Sequence, residues 1–217
     1  MKKIALDGPA GSGKSTVAKI IAEKMGIEYL DTGAMYRAVT LYLLNKEIDL
    51  NDVSKIERVL SDIQIDFENG RIILNQQDVS EKIRMPEIAQ NVSTVAAHRI
   101  VRQAMVAQQQ ALACKKSIIM DGRDIGTVVL PDTKYKFYLT ASIEERANRR
   151  YEEMKAKGLN VDFEQIKKEI ARRDELDSNR EESPLRQAED AILVDTTGLT
   201  IEGVVTQLLE MIQKISE

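Results

Sequence analysis

Residues Gly8-Pro9-Ala10-Gly11-Ser12-Gly13-Lys14-Ser15-Thr16 fit the pattern G-x-x-x-x-G-K-[ST], a spacing that suits contact with a nucleotide's phosphates. Its glycines let the backbone turn tightly enough for successive N–H groups to face phosphate oxygens. A helix starting at the loop's end adds favourable partial positive charge. Lys14 is placed to bridge β- and γ-phosphates, and Ser15 to offer a hydroxyl to Mg2+, an ion that prefers oxygen. A glycine-rich turn that only joined strand to helix would not call for the lysine and hydroxyl that follow. The loop alone does not choose among motors, switches, kinases and transporters.

Four further clusters carry groups suited to phosphate chemistry. Ile118-Ile119-Met120-Asp121 puts a carboxylate at the end of an apolar run, either within reach of a metal's water shell or simply in a turn. Asp31-Thr32-Gly33-Ala34-Met35-Tyr36-Arg37 brings a hydroxyl and a guanidinium to the start of a helix, where Thr32 would equally serve as a cap. Asp121-Gly122-Arg123-Asp124-Ile125-Gly126 sets an arginine and acids between glycines, as a solvated turn also would. In Arg172 to Arg180, the residues Arg173, Asp177 and Arg180 fall at i, i+4 and i+7, one face of a continuous helix. Taken together they suit phosphoryl transfer, which needs positioning and charge neutralisation more than covalent help. Guanidinium groups fit that work better than ammonium groups do.

The elements that would hold these groups follow from hydrophobic period. Lys3 to Asp7, Ile27 to Leu30, Ser117 to Asp121, Lys134 to Leu139 and Ala191 to Asp195 are short apolar runs. They are separated by stretches of helical spacing, which predicts an α/β protein with a five-stranded parallel sheet covered by helices on both faces. Gly26 is a helix stop. Between about Asn45 and Asn91 the pattern turns to alternation, Ile63, Ile65 and Phe67 before Asn69-Gly70 and then Ile72 and Leu74. That predicts a hairpin in a small, partly antiparallel insertion. A long helix is expected from about His98 to Ala113. Ser142 and Asp162 each begin a capping-box spacing that opens a charged helix, with a break at Gly158. A last helix is expected from near Thr200.

Composition narrows the classes. With 43% hydrophobic and 30% charged residues in 217, the chain has material for one sizeable core and a smaller lobe. No apolar run approaches the roughly 18 residues of a membrane span, and none at the start resembles a signal peptide. The single Cys114 cannot form an intramolecular disulfide, and together with the one His98 it makes no zinc site. Both read as structural residues, and a cytoplasmic location is expected. A net charge of −4 and few aromatics argue against nucleic acid or membrane partners.

At these residues the sequence resembles the bacterial cytidylate kinase family, within the P-loop nucleoside monophosphate kinases. The resemblance spans essentially the whole chain and rests on Gly8 to Thr16, Asp31 to Arg37, Asn91-Val92-Ser93, Asp121 to Val129 and Arg172 to Arg180. It implies transfer of the γ-phosphate of Mg-ATP to CMP, and to dCMP; a monomer is expected. Thr32, Arg37, Ser93, Arg102, Arg123, Asp124, Arg173 and Asp177 match positions around CMP. Arg37 and Arg123 are implied at the acceptor phosphate, Ser93, Arg102 and Asp124 near cytosine, Arg173 and Asp177 at the ribose, and Arg180 toward the phosphates. Lys14, Arg123, Arg173 and Arg180 are the implied catalytic set. Thr32 stands where the family also has serine.

The resemblance further implies a single kinase domain over residues 1–217. Its core covers 1–44, 92–144 and 166–217, with a monophosphate-binding insertion at about 45–91 and a mobile lid at about 145–165. Arg146, Arg149 and Arg150 would reach ATP phosphates when that lid closes. A kinase for UMP or another small acceptor is the alternative within the class. A nucleotide-dependent switch is the alternative outside it, and it lacks a guanine-reading Asn-Lys-x-Asp after a strand: Asn45-Lys46-Glu47-Ile48-Asp49 is one residue too long and comes too early.

Overall fold

The computed structural model describes residues 1–68 and 70–216. The chain opens with β1 (Lys3–Asp7), α1 (Lys14–Met25), β2 (Glu28–Asp31) and α2 (Thr32–Asn45), followed by α3 (Val53–Leu60) and strands β3 (Ile65–Glu68), β4 (Arg71–Leu74) and β5 (Gln77–Asp78). Next come α4 (Pro86–Ala97), α5 (Arg99–Ala113), β6 (Ile118–Gly122), a π-helical turn (Ile125–Val129) and β7 (Tyr135–Thr140). The chain continues through α6 (Ile143–Ala156), α7 (Phe163–Asn179), β8 (Ile192–Asp195) and α8 (Ile201–Ser216).

The five apolar runs form one sheet in the order β2-β6-β1-β7-β8, with β1 parallel to both β6 and β7, and β7 parallel to β8. Every strand predicted for this sheet is present. The order places β1 at the centre, with the chain crossing to one side before β6 and to the other with β7. Ligands of open α/β sheets bind at the carboxyl ends beside such a reversal.

The chain divides into two compact units, one of Met1–Tyr29 with Lys116–Glu217, the other of Leu30–Lys115. In the first, Ile4, Leu6, Ile119, Phe137, Leu139 and Val194 of the strands are buried with Val17, Ala18 and Ile21 of α1 and Val204, Leu208 and Ile212 of α8. Burying each large side chain of this kind contributes about 1.5–3 kcal/mol, enough to hold the strand ends where the loops leave them. Helices α6 and α7 pair through a smaller cluster around Ala147, Ile166 and Ile170, with Tyr151 edge-on to Phe163 at 6.1 Å. Ser142 caps α6 by accepting from Glu145 N, as its spacing predicts, whereas Asp162 caps α7 by accepting from Glu164 N, one residue short of the box position.

The second unit contains α2 to α5 and the separate antiparallel sheet β3-β4-β5. The predicted hairpin is β3 with β4, pairing Ile65 with Leu74 and Phe67 with Ile72. Asn69 of the predicted Asn-Gly turn lies outside the described residues. Helices α3 and α4 and strand β5 were not anticipated. Helix α4 starts with Pro86 at its first turn, where a missing N–H costs nothing. Helix α3 buries only Ile56, too little to show as a period. Strand β5 is two residues long and follows Asn75 and Gln76, both at positive φ. The predicted long helix is α5, with His98 as its N-cap residue.

Candidate active site

The phosphate loop leaves the carboxyl end of β1, and its shape depends on backbone positions where a side chain is excluded. Gly8 has φ 146°, and a Cβ there would lie 1.9 Å from the carbonyl oxygen of Leu139. Gly13, at φ 88°, is the left-handed residue from which α1 starts. Inside the turn, the Lys14 ammonium donates to the carbonyl of Pro9 (2.7 Å) and to Ser12 Oγ (3.2 Å). Burial holds its pKa well below the usual lysine value, and the positive charges of Arg123 and Arg173 push the same way. Ser15 Oγ donates to Asp121 Oδ2 at 2.8 Å, and the hydroxyl of Tyr29 donates to Asp121 Oδ1 at 2.9 Å. Asp121 is therefore the last but one residue of β6, joined to the loop's hydroxyl, rather than a turn aspartate. Among the described residues, no group of three or more His, Cys, Asp or Glu side chains is placed to hold a metal.

The same unit gathers the arginine cluster. Arg123 Nε donates to Asp177 Oδ2 at 2.8 Å. Arg180 lies 3.8 Å from Asp124 Oδ1 and 3.9 Å from Asp177 Oδ1, and its Nε donates to the Ser183 carbonyl at 2.6 Å. Burial alone would raise the Asp177 carboxyl, but Arg123, Arg173 and Arg180 hold it below the usual range. The helical face predicted for Arg173, Asp177 and Arg180 is only partly formed. Helix α7 ends at Asn179, and Arg180 is its C-cap residue in an extended conformation. Arg180 reaches Asp124 and Asp177 from outside the helix.

In the second unit, Asp31 is the N-cap of α2, accepting from Ala34 N at 2.8 Å and from Arg37 Nη2 at 2.9 Å. Thr32 is thus the buried first residue of the helix and not its cap. Arg102 of α5 is buried, lies 5.2 Å over the ring of Tyr36 and donates to the Ala96 carbonyl. Ser93 is half-buried on α4.

The three charged-helix arginines part ways. Arg146 Nη1 donates to the Ala10 carbonyl (2.9 Å) and to Asp174 Oδ2 (2.5 Å), while Asp174 Oδ1 accepts from Ala10 N (3.2 Å). Arg149 donates to the side chain and carbonyl of Thr196, and one of its nitrogens lies 3.8 Å from where a Gly13 Cβ would stand. Among the described residues Arg150 pairs with Glu153, on the exposed side.

Three participants escaped sequence reading: Asp174, Thr196 and Asp7. Asp174 lies within the arginine-rich stretch, but its partners Ala10 and Arg146 are far away in the chain. Asp7 is buried, and its two oxygens accept from Ile125 N (2.8 Å) and Gly126 N (2.7 Å). Burial pushes this carboxyl up to about 6, against the pull of those donors. The visible signal was a charge closing the apolar run just before Gly8, which reads equally as a strand end.

A phosphate loop joined to a carboxylate, with a buried arginine cluster around it, matches known proteins along the whole chain. The family profile described as Cytidylate kinase covers residues 4–214. The cytidylate kinase of Caldanaerobacter subterraneus subsp. tengcongensis is 54% identical over 212 residues, 98% of this chain and 95% of that protein. The chain belongs to the cytidylate kinase family. The cytidylate kinase of Clostridium botulinum strain Okra is 51% identical over 211 residues, 97% of each chain. Membership makes the protein an ATP-dependent nucleoside monophosphate kinase that phosphorylates CMP. Among solved structures, an uncharacterized protein from Eubacterium ventriosum aligns over 98% of this chain and 99% of its own, at TM-score 0.55 and 14% identity, a likeness of fold.

Proposed function

We propose that the residues of these clusters divide the work of phosphoryl transfer from Mg-ATP to CMP and dCMP as follows. The Gly8 to Thr16 backbone and Lys14 take the ATP phosphates. Arg37 and Arg123 take the acceptor phosphate, Thr32 stands close to it, and Ser93, Arg102 and Asp124 recognise cytosine. Asp177 with Arg173 takes the ribose, and Arg180 approaches the transferred group. The observation that carries this reading is electrostatic: Arg123 and Arg173 lie close enough to Lys14 to depress its pKa. Arg123 of the acceptor set, Arg173 of the ribose pair and the donor lysine therefore share one field, as charge spread over a moving phosphoryl group requires.

In the reaction, an oxygen of the CMP phosphate attacks the γ-phosphorus. The bond from that phosphorus to the bridging oxygen breaks, leaving its electron pair on ADP. A phosphate monoester is already largely anionic at neutral pH, so no side chain need act as base, and Asp124 is engaged by Arg180 instead. The Ser15–Asp121 pair offers only oxygen, which fits Mg2+ held mainly by phosphates, with Asp121 acting through water. That ion would neutralise charge on the β- and γ-oxygens. Residues 145–165 are the lid in this reading and residues 45–91 the monophosphate-binding insertion. Arg146 and Arg149, already beside the loop, are the arginines best placed for ATP. We extend the reading to a cytoplasmic monomer, the single cysteine suiting a reducing compartment.

The test is ADP formation from Mg-ATP with CMP, dCMP, UMP, AMP, GMP or no acceptor, repeated with EDTA in excess. Turnover is expected with CMP and dCMP only, and lost with EDTA. Equal turnover without acceptor would overturn the assignment, and a preference for UMP would move it to the other pyrimidine.

A further inference from the structure

Asp7 is the last residue of β1 and stands opposite Gly122 in the sheet register. It lies between two segments that the proposed mechanism needs in fixed relation. Gly8 follows it directly and opens the phosphate loop. From Gly122 the neighbouring strand runs into Arg123 and Asp124. Both oxygens of Asp7 are used on this second segment, one on Ile125 N and the other on Gly126 N. Gly126 has almost no spare room, since a Cβ there would lie 3.3 Å from Asp7 Oδ2 and 3.3 Å from the Lys136 stem. That stem is itself held, with its ammonium on Asp190 (2.7 Å) and the Pro131 carbonyl (2.5 Å). The turn after Asp124 is thus gripped from both sides.

This is an expensive way to tie down a loop. Among the described residues Asp7 has no ion-pair partner within 4 Å, and a buried carboxylate held by neutral donors alone is disfavoured by desolvation. What it provides is geometry: two acceptors at fixed spacing for two consecutive N–H groups, which an amide side chain cannot match because its nitrogen would face one donor. Beside that grip, Arg123 is held by Asp177, and Asp124 by Arg180 at 3.8 Å and by the Val128 and Val129 N–H groups on its carbonyl, contacts that fix these residues to one another and to the turn rather than to the phosphate loop.

We propose that Asp7 is a positioning residue for the acceptor, fixing where Arg123 and Asp124 stand relative to the phosphate loop by holding the Ile125 and Gly126 N–H groups. The inference rests on the acceptor assignment of Arg123 made above.

The experiment is steady-state kinetics of Asp7→Asn beside Arg123→Ala, varying CMP and ATP separately. For Asp7→Asn the KM for CMP is expected to rise by about tenfold or more while that for ATP stays within about twofold. A fall in apparent kcat alone, or equal rises in both KM values, would show Asp7 to be a support of the strand or of the loop and would overturn the inference. If Arg123→Ala leaves the KM for CMP unchanged, the acceptor assignment itself has failed. If Arg123→Ala raises it and Asp7→Asn does not, only the role of Asp7 falls. Should Asp7→Asn not fold, amide exchange in the unaltered protein decides. Ile125 and Gly126 N–H groups exchanging as slowly as the amides of β1 support the clamp, and exchange at exposed-loop rates overturns it.

Discussion

The phosphate loop and the arginine cluster occupy the same compact unit but are built in opposite ways. The loop is nine consecutive residues whose shape comes from backbone conformation, with Gly8 and Gly13 at φ values that side chains disfavour. The cluster is assembled from Arg123 and Asp177, 54 residues apart, and its shape comes from ion pairs among buried side chains. Such a local backbone site forms whenever its strand and helix form. A site made of distant side chains exists only once the whole unit has folded, and each member is costly to leave alone.

The sharpest way to break the contrast is Gly8→Ala. Its methyl group would meet the Leu139 carbonyl, which is fixed in the sheet, and a loss of at least about 4 kcal/mol is expected in urea denaturation. Near wild-type stability would mean that the loop tolerates strain and that its glycines are not what shapes it. Next in size, Arg123→Ala should lower kcat/KM for CMP by about a thousandfold, since it removes one phosphate contact and leaves Asp177 short of charge. Arg123→Lys should recover only a small part, because one ammonium cannot reproduce the guanidinium's paired donors.

Two buried carboxylates sharpen the comparison further. Asp7 is held by backbone donors and its pKa is raised to about 6, whereas Asp177 is held by guanidinium groups and is lowered. The folded state therefore holds a proton on Asp7 more tightly than the unfolded chain does. Relative to Asp7→Asn, the wild type should gain stability as pH falls from about 6 to about 4, by about 1.4 kcal/mol per pH unit and about 3 kcal/mol in all. For Asp177 the sign reverses: its contribution is complete above the unfolded value of 3.8 and is lost as pH falls below it. Paired urea titrations of each variant against wild type across pH 3–7 would test both signs. The smallest effects are expected on α6. Arg149→Ala, beside Gly13 and Thr196, should raise the KM for ATP by about tenfold, while Arg150→Ala, an exposed pair, should change activity by less than about twofold.

How much was legible in advance follows the same division. Strands β1, β2, β6, β7 and β8, the helix stops and the Ser142 cap are written in local periods and residue types, and all are found. Helix α4 went unread because proline, usually a breaker, sits at the one helical position that welcomes it. Within the arginine-rich stretch, helical geometry suggested that Arg180 would share a face with Arg173 and Asp177, but the helix stops one residue earlier. Arg146 and Arg150 look alike in sequence. One lies against Ala10 and the other faces water, a difference set by how α6 packs.

The amino-acid sequence by itself determined the phosphate loop, the five strands that frame it and the family to which the chain belongs, because each is carried by neighbouring residues or by patterns running the length of the chain. Only the tertiary structure decided that Arg123 would be held by Asp177, that Ser15 would bond to Asp121, and that Asp7 would clamp the turn after Asp124. Those contacts join residues 54, 106 and 118 or 119 positions apart. Each is set by the strand order that places β1 beside β6 and by the packing of α7, which no local pattern encodes.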